Sequence, residues 1–327
     1  MDAVLFVGHG SKDPEGNEEI RQFVNGLAPE MDVPIIETCF LEFERPDMLM
    51  GLSACVKRGA TRVAVIPIIL FSAGHAKIHI PAAIDEAKEL YPHVQFIYGR
   101  PIGIHEEVLN ILATRMEEAG FASAQEHEDL AVLVIGRGSS DADANSDIYK
   151  MSRLFWERWK AKWVETAFMG VTFPLYQEGI ERCLKLGAKH VVVLPYFLFT
   201  GVLIKRMADQ LEQFRAQYPD AQFTLAEYFG FHPLLKEVLK DRVEEALHGE
   251  VKLNCDTCPY RLAAMEHIDH HHHHDDEHGH GHHHHHHHQH DHDHEHDHHH
   301  QHDHDHDHEH HDHEHDHKHH DHKHVTK

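Results

Sequence analysis

Short apolar runs alternate with stretches of helical periodicity through the first 248 residues of the chain. Four runs in the first half have the length and the content of buried strands: 3–7, 34–41, 62–71 and 94–98. Four stretches that follow them repeat apolar residues every three or four positions and predict helices: 18–27, 47–58, 80–90 and 106–119. Strands and helices in alternation predict an α/β fold with a mainly parallel sheet.

The same pattern starts again at residue 131, so the chain contains an internal repeat. Residues 131–141 repeat residues 3–13 at an offset of 128, including two glycines and a serine after the strand. After residue 199 the offset falls to 127. A repeated unit of roughly 120 residues is typical of a duplication. It predicts two tandem units, at 1–120 and 130–248, that face each other across a ligand-binding cleft.

A comparison of the two copies separates shared scaffold from candidate chemistry. The glycines of the strand-end loops occur in both copies: Gly8 and Gly136, Gly10 and Gly138, Gly74 and Gly201. Three metal-binding side chains occur only in the first copy: His9 aligns with Arg137, Glu42 with Gly170, and His75 with Val202. All three follow predicted strands, and the carboxyl ends of parallel strands meet at one edge of a sheet. Two imidazoles and one carboxylate suit a first-row divalent metal ion, so we expect a metal site there.

Two further histidines, His105 and His232, occur in both copies. Because the repeat keeps them where it discards the three candidate ligands, we predict that they have a structural role, in helix capping or in packing.

Charge is distributed unevenly along the chain. Of the net charge of −25, the residues before 266 carry −11, and 35 of the 44 histidines lie from 267 onward among Asp and Glu. The segment 267–327 lacks the apolar residues needed for a core, so we expect it to be disordered. An acidic body argues against nucleic acid and membrane surfaces as partners. With neither a transmembrane-length apolar run nor a leader pattern, we expect a cytoplasmic protein.

The five cysteines fall into two classes. Cys39, Cys55 and Cys183 lie in apolar surroundings and are predicted to be buried thiols. Cys255 and Cys258 form a Cys-x-x-Cys pair in the polar segment 249–266. Two cysteines are half of a tetrahedral thiolate site, so two chains could complete an iron–sulfur cluster or a zinc site. A redox dithiol or a pair of inert thiols are the alternatives.

Three stretches of the first unit resemble those of one enzyme family. They are Leu-Phe-Val-Gly-His-Gly-Ser at 5–11, Phe-Leu-Glu-Phe at 40–43 and Pro-Ile-Ile-Leu-Phe-Ser-Ala-Gly-His at 67–75. Together with the duplication, the Cys-x-x-Cys pair and the histidine-rich tail, they resemble the long form of the CbiX-type sirohydrochlorin cobaltochelatases, a class II tetrapyrrole chelatase family. The resemblance implies ATP-independent insertion of Co²⁺ into sirohydrochlorin, in anaerobic cobalamin biosynthesis.

The same resemblance implies roles for particular residues. His9 and His75 would bind the metal and accept protons, with Glu42 as their carboxylate partner, and Cys255 and Cys258 would hold a [4Fe–4S] cluster. A cluster shared between two chains would make the protein a homodimer.

Sirohydrochlorin carries eight carboxylates, so an acidic protein needs local cations to bind it. Five residues are candidates: Arg45, Lys77, Arg100, Arg137 and Lys205. The histidine-rich tail is predicted to be a reservoir for divalent metals such as Co²⁺, Ni²⁺, Zn²⁺ or Cu²⁺. Alternative functions are a sirohydrochlorin ferrochelatase for sirohaem, a nickel chelatase, or a non-catalytic metal-storage or metallochaperone protein.

Overall fold

The computed structural model describes residues 1–122 and 128–249, apart from the side chains of His75 and Ala76. The predictions for the Cys-x-x-Cys pair and for the tail lie outside the described residues. Within them, no helix has the length and apolar content to cross a lipid bilayer.

Each unit contains four strands that alternate with helices. The first unit consists of β1 (Asp2–Gly8), α1 (Pro14–Leu27), β2 (Ile35–Phe40), α2 (Met48–Lys57), β3 (Arg62–Ile68), α3 (Ile80–Leu90), β4 (Gln95–Tyr98) and α4 (Glu106–Glu118), with a 3₁₀ turn at Ala28–Glu30 and a π-helical turn at His75–His79. The second consists of β5 (Leu130–Gly136), α5 (Ala142–Trp159), β6 (Trp163–Phe168), α6 (Tyr176–Lys185), β7 (His190–Pro195), α7 (Val202–Gln217), β8 (Gln222–Leu225) and α8 (Pro233–His248).

The strands form two parallel sheets with the same topology. Their orders are β2-β1-β3-β4 and β6-β5-β7-β8, and all neighbouring pairs are parallel. The register is also repeated, since Gly8 lies beside Phe40 in the first sheet and Gly136 beside Phe168 in the second. The predicted duplicated α/β fold is therefore confirmed.

Two element boundaries of the first unit differ from the prediction by more than one residue. Helix α1 begins four residues early because Asp13 caps it, its side chain accepting a hydrogen bond from the Glu15 N–H at 3.2 Å, and Pro14 favours the first helical position. Strand β3 ends at Ile68, and residues 69–71 leave the sheet although they continue its apolar run. Apolarity therefore continues into a loop that lines a cavity described below.

The two units share one central hydrophobic core. It joins the inner faces of both sheets to α1, α4, α5 and α8, whereas separate cores lie under α2 and α3 and under α6 and α7. Helix α8 of the second unit packs against β3 and β4 of the first, and α4 packs against β7 of the second. The last helix of each unit therefore covers the other unit's sheet.

A group of buried charged residues holds α8 of the second unit against the first unit. Glu245 of α8 accepts hydrogen bonds from Arg100 at 2.6 Å and from Arg242 at 2.9 Å, and it is only 6% exposed. Arg242 also donates to the carbonyl oxygens of Pro101 and Ile102 in the first unit, at 2.8 and 2.5 Å. Removing any one of these side chains would leave a buried charge without a partner, which strongly lowers the stability of a fold.

The three cysteines in the described residues are buried, as predicted. Cys39, Cys55 and Cys183 are free thiols with no exposed surface. Burial raises the pKa of Cys39 and raises those of Cys55 and Cys183 to about 12. They are therefore core thiols rather than thiolate ligands at neutral pH.

His105 and His232 cap the exchanged helices, which confirms their structural role. The Nδ1 atom of His105 accepts a hydrogen bond from the Glu107 N–H at 3.1 Å, and His232 accepts one from the Leu234 N–H at 3.2 Å. An imidazole can accept only when that nitrogen is unprotonated. Burial lowers the pKa of both imidazoles, which favours the accepting form.

We predict that these caps make the protein less stable in mild acid. Because the pKa of each imidazole is lowered in the fold from the ordinary value of 6.5, the unfolded chain is protonated first as the pH falls. Stability present above pH 6.5 is therefore lost below it, until the folded-state pKa is passed. Between urea unfolding at pH 7.5 and at pH 5.5, His105→Asn should lose less stability than the unaltered chain, since an asparagine cap does not titrate. Exposed His93, replaced in the same way, is the control, and an unchanged pH dependence of His105→Asn would contradict the capping role.

Candidate metal and ligand site

The first functional loop places His9 and Glu42 side by side through their backbones. After β1 and β2 end, the Leu41 N–H donates to the Gly8 carbonyl at 3.0 Å and the Glu42 N–H donates to that of His9 at 3.1 Å. Gly10 has a φ of +87°, and a Cβ on it would lie 1.7 Å from the Glu42 carbonyl oxygen. Only glycine fits this close approach. The predicted neighbourhood of His9 and Glu42 is thus built into the turn.

The imidazole of His9 lies between a carboxylate and a guanidinium. Its Nδ1 is 3.3 Å from Oε1 of Glu42 and 3.2 Å from the Gly10 carbonyl oxygen, and its Nε2 is 2.9 Å from Nη1 of Arg137. A guanidinium can only donate, so Nε2 accepts and the ring proton lies on Nδ1, facing the two oxygens. The Gly10 carbonyl and the Glu42 carboxylate therefore orient the ring together, as a backbone carbonyl or a carboxylate commonly does behind a metal-binding histidine.

The second unit holds Arg137 in a copy of the same turn. Gly138 has a φ of +89°, a Cβ on it would lie 1.9 Å from the Gly170 carbonyl oxygen, and the Met169 N–H donates to Gly136 at 2.9 Å. The duplicated turns meet tip to tip across the cleft. One presents an imidazole and the other a guanidinium.

Each of these turns continues into a strained residue with an exposed apolar side chain. Phe43 and Val171 occupy equivalent positions, with φ values of +63° and +69°. A backbone hydrogen bond closes each turn: the Glu44 N–H donates to the Glu42 carbonyl oxygen, and the Thr172 N–H donates to the Gly170 carbonyl oxygen, both at 2.8 Å. A positive φ is unfavourable for a β-branched residue such as Val171, and such strain is concentrated at functional sites.

The loop that carries His75 differs between the units by one residue. The Lys77 N–H donates to the Ala73 carbonyl oxygen, and the Lys205 N–H donates to the Gly201 carbonyl oxygen. These two hydrogen bonds are equivalent at an offset of 128, so this offset still holds in the first helical turn of each unit. The extra residue is absorbed by the π-helical turn at His75–His79. π-Turns of this kind frequently occur at functional sites.

This geometry corrects the predicted pairing of the copies. The one-residue difference between the units follows the start of the helix instead of preceding it, so the offset of 128 still applies to this loop. His75 therefore pairs with Leu203 rather than with Val202. Likewise, Gly74 pairs with Val202 rather than with Gly201. Leucine is no more a metal ligand than valine, so the contrast between the units is unaffected.

The predicted three-ligand site is only partly visible. The structure brings His9 and Glu42 together, whereas the side chain of His75 is outside what is described. Among the described residues, no group of three or more His, Cys, Asp or Glu side chains has the spacing of a metal site. The shared site of His9, Glu42 and His75 stays a prediction.

A cavity of about 570 Å³ lies between the two units at the carboxyl ends of the strands. His9 and Arg137 line it together with largely apolar side chains, among them Phe71, Val171 and Tyr196. Its volume is in the range of ligand-binding pockets, and an apolar lining with a few polar groups is typical of them. The cleft predicted from the duplication is present.

Two lining residues were not singled out from the sequence. His79, in the π-helical turn, contributes a second imidazole to the wall. Tyr196 occupies the position of Ile68 in the repeat, and its buried hydroxyl has no hydrogen-bond partner among the described residues. Burial raises its pKa well above the ordinary value. The change from Ile68 to Tyr196 between the copies was the sequence signal that could have identified it.

Two of the predicted substrate-binding cations are paired with acidic residues across the cleft. Lys77 lies 2.7 Å from Asp141 and 3.2 Å from Asp143, and Lys205 lies 2.7 Å from Asp13 and 2.8 Å from Glu15. These pairs are equivalent in the two units. Their hydrogen bonds raise the pKa of both lysines and lower those of Asp13 and Asp141.

The remaining cations are placed differently. Arg100 belongs to the buried group around Glu245, and the guanidinium of Arg45 lies against the sulfur of Met50 at 3.9 Å. Of the described residues that line the cavity, Arg137 is the only lysine or arginine. The carboxylate-binding role of these five residues stays a prediction, and the geometry favours Arg137 among them.

Comparison with known proteins identifies similar chains. The family model described as CbiX matches residues 3–119 and 131–246, which are the two units. A sirohydrochlorin cobaltochelatase from Priestia megaterium is 63% identical over 272 residues, covering 83% of this chain and 88% of that protein. A sirohydrochlorin ferrochelatase from the same organism is 40% identical, over 76% of this chain and 92% of that one.

Among solved structures, SirB from Bacillus subtilis with Fe³⁺ has the same fold. It superposes with a TM-score of 0.68 at 37% sequence identity, and the match covers 76% of this chain and 97% of SirB. Because the match covers nearly all of SirB, two units of this kind are sufficient for that relative to fold.

We predict that replacing Gly10 destabilises the protein by more than its positive φ alone would, because of the close backbone approach at this residue. Gly10→Ala should lower the free energy of unfolding by about 2 kcal/mol more than Gly59→Ala, since the added methyl meets backbone at Gly10. Gly59 has a similar φ of +97° with no atom within 4 Å of the added methyl, so it reports the cost of the conformation alone. Denaturant titration of both variants provides the measurement, and equal losses would contradict the tight contact.

Proposed function

Since the chain belongs to the CbiX family, we propose that it is a metal chelatase that inserts Co²⁺ into sirohydrochlorin, without ATP, in anaerobic cobalamin biosynthesis. The 63% identity to a protein named sirohydrochlorin cobaltochelatase supports the choice of metal and macrocycle. The observation that carries the chemistry is the orientation of His9. Its ring proton on Nδ1 is directed to the Gly10 carbonyl oxygen, beside the Glu42 carboxylate, and its unprotonated Nε2 contacts Arg137, with which it lines the cavity.

Metal insertion requires a base and a metal donor at the same place. Two pyrrole N–H protons must leave the macrocycle as the divalent metal takes their place. An imidazole with an unprotonated nitrogen can hold a first-row metal and can also accept a proton near neutral pH. We assign these roles to His9 and His75, with Glu42 holding the His9 ring in the productive tautomer. Two imidazoles bind loosely enough for the metal to be transferred.

The cavity offers complementary surfaces to a large, flat polycarboxylate. Apolar side chains such as Phe71 and Val171 suit the faces of the macrocycle, and Arg137 suits one of its carboxylates. Lys77 and Lys205 are already paired with acids of the opposite unit, so they would contribute only after exchanging partners. Binding would therefore depend more on Arg137 than on either lysine.

We predict that the His9 imidazole is required for metal insertion. His9→Ala should lower kcat/KM about 100-fold or more, the usual effect of removing a general base. His93→Ala is the matched control, because His93 is exposed in the turn before β4, at the opposite end of the strands from the cavity, and should leave the rate unchanged. The assay follows sirohydrochlorin absorbance with Co²⁺, Fe²⁺ or Ni²⁺. Faster reaction with Fe²⁺ would identify a ferrochelatase, and no rate above the uncatalysed one would favour a metal-storage protein.

The Cys-x-x-Cys pair is the basis of a second, separate proposal. Cys255 and Cys258 supply two thiolates, and the buried thiols of Cys39, Cys55 and Cys183 are committed to hydrophobic cores. A four-thiolate [4Fe–4S] cluster therefore needs the same pair from a second chain. We propose a homodimer that shares one cluster, with the redox dithiol as its alternative.

The tail is assigned to metal supply rather than to catalysis. Its 35 histidines, interspersed with Asp and Glu, bind Co²⁺ and similar metals with high capacity and modest affinity per site. Because the relative SirB consists almost entirely of the two units, the tail is not needed to build the cleft.

We predict that a chain truncated after Glu266 separates these roles. It should keep full activity at saturating Co²⁺, and the full chain should bind on the order of ten more Co²⁺ ions, at three or four histidines each. After anaerobic purification both chains should contain iron and sulfide, and Cys255→Ser should remove them. Loss of activity on truncation would contradict the division of roles, and absence of iron and sulfide from both chains would exclude the cluster.

A further inference from the structure

Arg137 contacts the nitrogen of His9 that a metal ion would use. The Nη1 to Nε2 distance is 2.9 Å, and the two residues come from equivalent turns of the two units. Nδ1 is not an alternative metal ligand in this arrangement, because it carries the proton and faces Glu42 and the Gly10 carbonyl. The guanidinium and a metal ion therefore compete for one lone pair.

The competition is electrostatic as well as geometric. A divalent cation bound to Nε2 would lie next to the guanidinium charge, which cannot be lost by deprotonation because arginine stays protonated in proteins. The two positive charges repel each other across a cavity of largely apolar lining. Metal binding to His9 thus requires Arg137 to move to another partner.

The structure indicates what that partner is. No carboxylate of the described residues lies within ion-pair distance of Arg137, in contrast to Lys77 and Lys205, which each have two, and Arg100, which has one. The Arg137 side chain is exposed in the cavity, where a ligand's carboxylate can form two parallel hydrogen bonds with it. A polycarboxylate in the cavity satisfies Arg137 better than one neutral imidazole nitrogen does.

We propose that Arg137 couples the binding of the two substrates: it withholds the Nε2 of His9 from metal until a carboxylate of the macrocycle draws the guanidinium away. The coupling rests on the proposed chelatase function. In it, binding of the macrocycle makes Nε2 of His9 available to the metal ion. Arg137 acts on the metal through His9 and is therefore a positioning residue. A chain without macrocycle holds metal weakly at the site, which limits futile occupation by the wrong ion.

The test measures Co²⁺ affinity in the absence of reaction, with the chain truncated after Glu266 so that the tail does not bind the metal. By equilibrium dialysis, Arg137→Met should bind Co²⁺ about tenfold more tightly than the unaltered body, the effect of a charge-assisted hydrogen bond. In a His9→Ala background the same substitution should have no effect. Lys88→Met removes a positive charge on the outer surface of α3 and should also have none.

The second arm supplies the carboxylates. Zinc uroporphyrin, an octacarboxylate macrocycle whose centre is already filled, should tighten Co²⁺ binding by the unaltered body to the level of Arg137→Met, and it should not tighten it further in that variant. Unchanged or weaker Co²⁺ binding by Arg137→Met, or equal tightening by Lys88→Met, would overturn the coupling while leaving chelatase activity in place. Failure of the unaltered chain to metallate sirohydrochlorin would instead overturn the proposed function, whatever the Co²⁺ affinities.

Discussion

The geometry of the cleft depends on the exchange of the last helices between the two units. Helix α8 covers the sheet of the first unit and α4 covers that of the second, so the units cannot separate without exposing their shared core. The buried group of Arg100, Arg242 and Glu245 adds directional contacts to this apolar packing. A fixed relation between the sheets is what allows two loop tips more than 120 residues apart to meet at 2.9 Å.

The cleft is symmetric in its backbone and asymmetric in its chemistry. The two glycine turns, the helices α1 and α5 capped by Asp13 and Asp141, and the reciprocal lysine pairs are repeated in both units. The differences are concentrated at the loop tips, where His9 faces Arg137, and in the one-residue extension that becomes the π-helical turn. Duplication supplies two copies of a ligand-binding edge, so one copy can keep metal chemistry while the other takes up carboxylate recognition. Such a division suits a reaction whose two substrates are a cation and a polyanion.

Glu42 illustrates how a tertiary contact refines an assignment made from residue type. A carboxylate beside two histidines fits a metal ligand on chemical grounds alone. In the structure its carboxylate lies 3.3 Å from Nδ1 of His9, beside the Gly10 carbonyl oxygen, so its charge also favours the tautomer with the proton on Nδ1 and the unprotonated Nε2 towards Arg137. The close backbone approach at Gly10 enforces that position, so the orientation of His9 is set by the turn itself.

The sequence by itself determined the elements, the duplication, the capping histidines and the buried cysteines. These features depend on periodicity, on local turn chemistry and on comparison of the two copies, all of which are written within short stretches. It also singled out His9 and Glu42 as candidates for one site, because each follows a strand and is lost from the second copy, and the structure brings these two side chains together.

Only the tertiary structure decided which charges are available. The sequence could not show that Lys77 and Lys205 are paired across the cleft, that Arg100 is partly buried under α8, or that Arg137 contacts His9. The true partner of His75 in the repeat also required the backbone hydrogen bonds of the helix starts. Each of these facts depends on how two distant units pack together, and long-range packing is not encoded in the spacing of residues along the chain.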